Sequence, residues 1–128
     1  MKIIGIGIDL VENKRFKLLL KNKKFLERIF TKNEIMISKK KSNKVNYFAK
    51  RFAAKEAFSK SLGIGFRNNL DLKDIEILND KMNKPYYSNS KIIKNIIYKK
   101  FKIKKFNLHL SISDEKDYSI AFTILQKI

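Results

Sequence analysis

The chain opens with a strand pattern interrupted by small residues. From Lys2 to Ile8, isoleucines alternate with glycines, and this period of two predicts a strand that ends at Asp9. Glycine weakens an ordinary strand, so Gly5 and Gly7 indicate that another part of the backbone, or a ligand, approaches closely there.

Helical spacing of apolar residues follows in several places. Thr31 and Glu34 have the spacing of a capping box, which predicts the start of a helical turn. Gly63 follows the longest periodic stretch and is expected to end that helix. The helices are predicted over residues 12–20, 25–30, 45–62 and 92–101.

The second half adds alternating segments that are typical of strands. Residues 74–79 and Tyr86–Tyr87 predict a strand pair joined by a turn, and residues 118–125 predict the last strand. In residues 107–113, leucines and an isoleucine alternate with His109 and two serines. The order of elements predicts one α+β domain over residues 1–128, with a mainly antiparallel sheet packed against a long central helix and shorter helices.

Composition restricts the environment more than the function. The 30 lysines and arginines outnumber the 12 acidic residues, giving a net charge of +18 that would attract acidic partners and polyphosphates. A basic nucleic-acid-binding module is the alternative to an enzyme, although arginine clusters and interleaved aromatics typical of such modules are lacking. No cysteine is present and no run of about 18 apolar residues occurs, so a cytoplasmic protein without a membrane span is expected.

Four residues could carry chemistry, each with an ordinary structural alternative. Glu56 and Lys60 continue a row of residues four apart that begins with Phe48 and Phe52 on the long predicted helix. A surface i,i+4 ion pair has the same spacing. Asp9 ends the glycine-rich strand, where it would also serve as a helix N-cap. His109 is the only histidine, and a lone histidine on a strand also fits a structural hydrogen bond.

In combination these positions carry a family resemblance. The motifs are GIGIDLVE at residues 5–12, RFAAKEAFSK at residues 51–60 and Lys84-Pro85. In this order and spacing they resemble the holo-[acyl-carrier-protein] synthases, a family of 4'-phosphopantetheinyl transferases. Residues 63–67, 74–77 and 109–111 extend the resemblance along the chain.

The resemblance implies a 4'-phosphopantetheinyl transferase-like fold and a magnesium-dependent reaction. Phosphopantetheine would pass from coenzyme A to a serine of an apo acyl carrier protein. Asp9 and Glu56 would hold Mg²⁺, whose preference for oxygen ligands suits two carboxylates. Lys60 would contact phosphate. Glu56 acting directly and a metal-bound water are both open as the base that accepts the serine proton.

The resemblance also implies where the substrates bind. Tyr47 and Arg51 would reach coenzyme A from a neighbouring subunit of a homotrimer. An acidic acyl carrier protein would face Arg15, Lys24, Phe25 and Arg28. The remaining residues expected to line the coenzyme A nucleotide are Ser59, Gly63, Lys84, Pro85, His109 and Ser111.

Two departures from the family pattern concern the ligand loops. Asn83 stands where the family usually has glycine before Lys84-Pro85. Because asparagine tolerates a positive φ better than most residues, the turn is expected to survive. After Ser111, the chain has Ser113 and Asp114 where many members have histidine or threonine, so no ligand contact is assigned to these two residues.

Overall fold

The computed structural model describes residues 1–63 and 70–128 of the protein. The strands are β1 (Lys2–Glu12), β2 (Ile77–Asn79), β3 (Pro85–Tyr87), β4 (Phe106–Asp114) and β5 (Tyr118–Lys127). The helices are α1 (Arg15–Leu19), α2 (Lys23–Ile29), α3 (Lys32–Ser38), α4 (Lys44–Ser61) and α5 (Lys91–Phe101), with a 3₁₀ turn at Leu72–Asp74.

The strands form two antiparallel sheets. One has three strands in the order β1-β5-β4, and the other is the hairpin of β2 and β3. The long helix α4 packs on one face of the larger sheet, mainly against β1 and β5. The α+β prediction with a mainly antiparallel sheet and a long central helix is therefore confirmed.

The glycines of β1 allow α4 to lie directly against the strand. A Cβ atom added at Gly5 would lie 1.8 Å from the carbonyl oxygen of Ser61, and one added at Gly7 would lie 1.8 Å from that of Ala57. The close approach predicted from these glycines is confirmed, and α4 is what approaches. Because the nearest helix residue moves back from 61 to 57 as the strand advances, α4 runs antiparallel to β1.

Two predicted boundaries are wrong, and pairing explains the first. The strand β1 continues past Asp9 to Glu12, because Glu12 still pairs with Tyr118 of β5; the following helix starts only at Arg15. In the predicted strand at 74–79, only the last three residues pair with β3. Within the described residues, no helix is long and apolar enough to cross a membrane.

Candidate active site

The sheet alternation brings Asp9 to the helix. From Gly5 to Val11, the odd-numbered residues of β1 face α4, as Gly7 and the buried Val11 show, and Asp9 lies between these two on the same face. The Lys60 ammonium reaches across from α4, donating to Asp9 Oδ1 at 3.1 Å and to the Ile8 carbonyl at 2.9 Å. The N-cap alternative for Asp9 is wrong, because the residue lies inside a strand.

Glu56 is the second carboxylate of this cluster. Burial raises its pKa to about 7, and the negative charge of Asp9 contributes, while Lys60 and Arg15 partly oppose the rise. Burial also raises the pKa of Asp9, against its hydrogen bond to Lys60. Among the ion pairs of the described residues, Lys60 joins Asp9 and not Glu56, so the i,i+4 surface pair is not what forms.

The two partly buried carboxylates, both with raised pKa values, form a donor set for a cation. No group of three or more histidine or acidic side chains occurs in residues 1–63 and 70–128 that could enclose a metal. Mg²⁺ does not need one, since it is usually held by one or two carboxylates together with water and phosphate oxygens. Asp9 and Glu56 therefore fit Mg²⁺ by their chemistry.

Helix α1 packs against α4 at Phe52, one helical turn before Glu56, and α2 packs against α1. Phe16 of α1 is buried, with ring centroids 5.6 Å from Phe52 and 6.4 Å from Phe25 of α2. The positive charge of Arg15, the neighbour of Phe16, partly opposes the rise in the pKa of both site carboxylates. The sequence pattern did not indicate this proximity. Lys24 and Arg28 are exposed on α2.

A second group of predicted residues lines a cleft at the start of α4. Tyr47, Arg51 and Pro85 line a volume of about 310 Å³, together with Asn83 and other polar residues. The Arg51 guanidinium lies 4.0 Å from the centroid of the Tyr47 ring and donates to the Asn79 side chain. Arg51 is only 5% exposed, and its Nε has no hydrogen-bond partner in the described part of the chain.

The loop before Pro85 keeps its turn without glycine. Asn83 has φ = +64°, so the expectation that asparagine accepts this left-handed conformation is confirmed. Asp80 holds the turn, since its Oδ1 accepts from the backbone nitrogens of Met82 at 2.9 Å and Lys84 at 2.8 Å. The Lys84 side chain is exposed beside the cleft.

The other predicted ligand residues lie elsewhere in the single chain. Ser59 is buried and donates to the Lys55 carbonyl at 3.3 Å, while Gly63 ends α4 with φ = +71°. His109 and Ser111 are exposed on β4, and His109 Nε2 lies 3.0 Å from Gln126 Oε1. The family-like residues 64–67 lie outside the described residues.

The comparisons with known proteins agree along the whole chain. A family model described as the 4'-phosphopantetheinyl transferase superfamily matches residues 5–123. A holo-[acyl-carrier-protein] synthase of Pelagibacter ubique (strain HTCC1062) is 56% identical over 127 residues, covering 99% of each chain. This chain belongs to the holo-[acyl-carrier-protein] synthase family. As a member of that family it is an enzyme, and the alternative of a nucleic-acid-binding module without catalysis is not supported.

Solved synthase structures share this fold. The holo-[acyl-carrier-protein] synthase of Neisseria meningitidis is 37% identical, with a TM-score of 0.85 and coverage of 98% of this chain and 99% of the other. That of Bacillus anthracis str. Ames, solved in complex with CoA (3',5'-ADP), is 35% identical with a TM-score of 0.82, and each chain is fully covered. The synthase fold predicted from the motifs is confirmed.

Proposed function

We propose that this synthase transfers 4'-phosphopantetheine from coenzyme A to a serine of an apo acyl carrier protein, with Mg²⁺ held by Asp9 and Glu56. The observation that carries the proposal is the meeting of the two carboxylates and Lys60 between β1 and α4. Two acidic groups and one cation in a partly exposed position are suited to a polyphosphate substrate and its metal ion.

The residues of the cluster have separate roles in this reaction. When bound, Mg²⁺ would supply positive charge to the phosphate oxygens and offset the charge that develops on the leaving group. The serine oxygen forms a bond to the phosphorus that carries the pantetheine, and the bond from that phosphorus to adenosine 3',5'-bisphosphate breaks with its electron pair. Glu56 accepts the serine proton, directly or through a water molecule.

Lys60 contributes charge at a fixed place. Its ammonium donates to the Ile8 carbonyl and to Asp9, and these two hydrogen bonds orient it beside the Asp9 carboxylate. The remaining donor of the ammonium is available to a phosphate oxygen, where it would stabilise the transferring group. Asp9 therefore positions both the metal ion and this lysine.

The activity is tested by measuring the intact mass of an apo acyl carrier protein after incubation with the protein, coenzyme A and Mg²⁺. We expect a mass gain of one phosphopantetheine that is abolished by EDTA and restored by excess Mg²⁺. A gain that persists in EDTA would refute the metal assignment alone. No gain on several folded apo carriers would refute the transfer.

Coenzyme A would bind between subunits. The cleft at Tyr47 and Arg51 is not lined by His109 or Ser111 of β4, nor by Ser59 and Gly63 at the end of α4. A neighbouring copy that offers its cleft to the other residues would complete one nucleotide site, with Lys84 and Pro85 in the adjoining loop.

The larger sheet supplies a face for such an assembly. Its side away from α4 presents an apolar outer face made of Ile6, Ile8, Leu10 and Phe122, which are 39% to 59% exposed in one chain. The register aligns Ile8 with Phe122 and Phe122 with Ser111. The apolar outer face therefore adjoins Ser111, one of the predicted ligand residues of β4. A contiguous apolar sheet face is a common interaction surface, and we propose that it joins three copies of the chain.

Sedimentation analysis of Ile8→Glu tests this assembly. We expect wild type to sediment as a trimer and Ile8→Glu as a smaller species without transferase activity, because a buried charge opposes association. The matched control is Ile92→Glu on α5, since Ile92 is 48% exposed against 52% for Ile8. A monomeric wild type, or an Ile8→Glu protein of unchanged mass, would refute the interface.

The acidic carrier protein would bind at α1 and α2. Lys24 and Arg28 are exposed on α2 and can pair with carboxylates of the partner. Phe25 is partly exposed and packs on Phe16, so it would serve as an apolar anchor with a fixed position. Arg15 of α1 is close enough to Asp9 and Glu56 for its charge to act on both carboxylates, which supports a carrier serine bound near Glu56.

A further inference from the structure

Behind the cleft, the structure contains a fully buried ion pair. Lys55 Nζ lies 2.8 Å from Glu34 Oε1, and neither side chain is exposed. The ammonium also donates to the carbonyl oxygens of Leu72 at 3.1 Å and Ile75 at 2.7 Å, so all three of its donors are used. Burial lowers the pKa of Lys55, and the charge of Glu34 opposes that effect.

A buried ion pair is weak evidence for stability. Removing two charges from water carries a large desolvation cost, and well-packed apolar replacements are often neutral or stabilising. What such a pair can do is fix one arrangement of the groups around it. Its meaning in this synthase therefore depends on what Glu34 and Lys55 hold in place.

Glu34 contacts both elements that support the Arg51 side chain, α4 through Tyr47 and β2 through Ile77. Its backbone carbonyl accepts from the Tyr47 hydroxyl at 2.7 Å, which fixes the tyrosine ring on α4. Its carboxylate accepts from the backbone nitrogen of Ile77 at 3.2 Å, two residues before Asn79 on β2. Arg51 stacks on Tyr47 and donates to Asn79, so one of its supports is bonded to Glu34 directly and the other lies on the strand that Glu34 holds at Ile77.

Lys55 connects Glu34 to the segment that precedes β2. The carbonyls that it binds, those of Leu72 and Ile75, belong to the segment that leads into β2. The ion pair thus ties α3, α4 and the β2 approach to one point. Burial raises the pKa of Tyr47 to about 12, so its hydroxyl remains a donor throughout the neutral range.

We propose that Glu34 and Lys55 are positioning residues that set the affinity for coenzyme A by fixing Tyr47 and Arg51, without touching the substrate. This inference rests on the proposed function of the cleft. Arg51 is desolvated, and its Nε has no partner in the described residues. Its guanidinium is oriented to bind an anionic ligand only while Tyr47 and Asn79 hold it in place.

The test replaces both charges at once, because removing one would leave the other buried and unpaired. In Glu34→Gln/Lys55→Met, glutamine keeps the capping-box geometry with Thr31 and methionine keeps the length of the lysine stem. We expect the double variant to bind coenzyme A about tenfold more weakly in calorimetry, with a matching rise in KM and a kcat within about twofold of wild type.

Two further variants separate positioning from loss of structure. Tyr47→Phe removes only the hydroxyl that reaches Glu34, and we expect it to weaken coenzyme A binding in the same direction. Thr123→Val removes a buried hydroxyl 2.6 Å from Tyr87 Oη on another side of α4; we expect a lower Tm with unchanged coenzyme A affinity.

Each outcome has a separate meaning. Wild-type affinity in the double variant, or in Tyr47→Phe if the double variant does not fold, would overturn this inference while leaving the transferase proposal intact. Weaker binding in Thr123→Val to the same extent would also overturn it, because any loss of buried polar contacts would then suffice. A wild-type protein that does not bind coenzyme A would refute the proposed function and this inference together.

Discussion

Replacing Glu56 by glutamine should inactivate the enzyme and stabilise its metal-free form. The carboxylate lies partly buried beside Asp9, and these two effects raise its pKa from 4.5 to about 7. A folded state that binds the proton more tightly than the unfolded state is stabilised below pH 4.5. That contribution is lost as the pH rises through about 7.

The size of the effect follows from this shift. At about 1.36 kcal/mol for each pKa unit, the full shift would correspond to about 3 kcal/mol. Because the side chain is partly solvent-exposed, screening reduces this, and we expect Glu56→Gln to increase the free energy of unfolding by about 1 to 2 kcal/mol at pH 8. Near pH 5 the difference should be small, since Glu56 is then mostly protonated in the folded protein.

Urea denaturation in EDTA at pH 8 and pH 5 measures this difference, and repeating it in Mg²⁺ measures the contribution of the metal. Wild type should gain stability from Mg²⁺ at pH 8, whereas Glu56→Gln should gain much less and lose transferase activity by at least about 100-fold. Glu27→Gln is the control, because Glu27 is exposed and pairs only at 3.9 Å with Lys23; it should change neither property.

Two results would contradict this prediction. If Glu56→Gln is no more stable than wild type in EDTA at pH 8, burial and the charge of Asp9 do not disfavour the ionised form of Glu56 in the folded protein. If the variant keeps its activity, Glu56 is neither a metal ligand nor the base.

Three further pairs of substitutions test the helix packing, the carrier surface and the loop before Pro85. Gly7→Ala should lower the free energy of unfolding by about 3 kcal/mol or prevent folding, because a Cβ would lie 1.8 Å from an α4 carbonyl, whereas Gly63→Ala should cost about 1 kcal/mol; denaturation measures both. Arg28→Glu should raise the KM for the carrier protein at least about threefold at low salt and leave the KM for coenzyme A unchanged, while Lys94→Glu on α5 changes the net charge equally and should have a smaller effect. Asn83→Gly should keep activity and stability, while Asn83→Val should lose about 1 to 2 kcal/mol at the left-handed position.

These expectations would be contradicted by specific results. Equal losses at Gly7 and Gly63 would mean that close helix packing is not the reason for glycine in β1. Equal effects of Arg28→Glu and Lys94→Glu would assign carrier binding to overall charge and not to α2. A stable Asn83→Val protein would show that the turn does not need its left-handed residue.

Local sequence patterns were sufficient to predict most of the elements and the residues that could carry chemistry. Alternation in β1 and helical spacing in α4 are local properties, so the strand, the long helix and its end at Gly63 were predicted from neighbouring residues. The alternation also placed Asp9 on the same strand face as Gly5 and Gly7, and that face is the one that meets α4. The motifs identified the family because several segments occur together in a fixed order.

Which groups meet depends on contacts between distant segments of the chain. The spacing of Glu56 and Lys60 allows an ion pair, but only the folded chain shows that the lysine joins Asp9 of a distant strand. In the sequence, nothing distinguishes Lys55 from the other lysines of the motif. In the folded chain its side chain is fully buried and forms an ion pair with Glu34. Local patterns specify what a residue can contact within its own element, whereas burial, pKa values and long-range partners depend on how separate elements pack together.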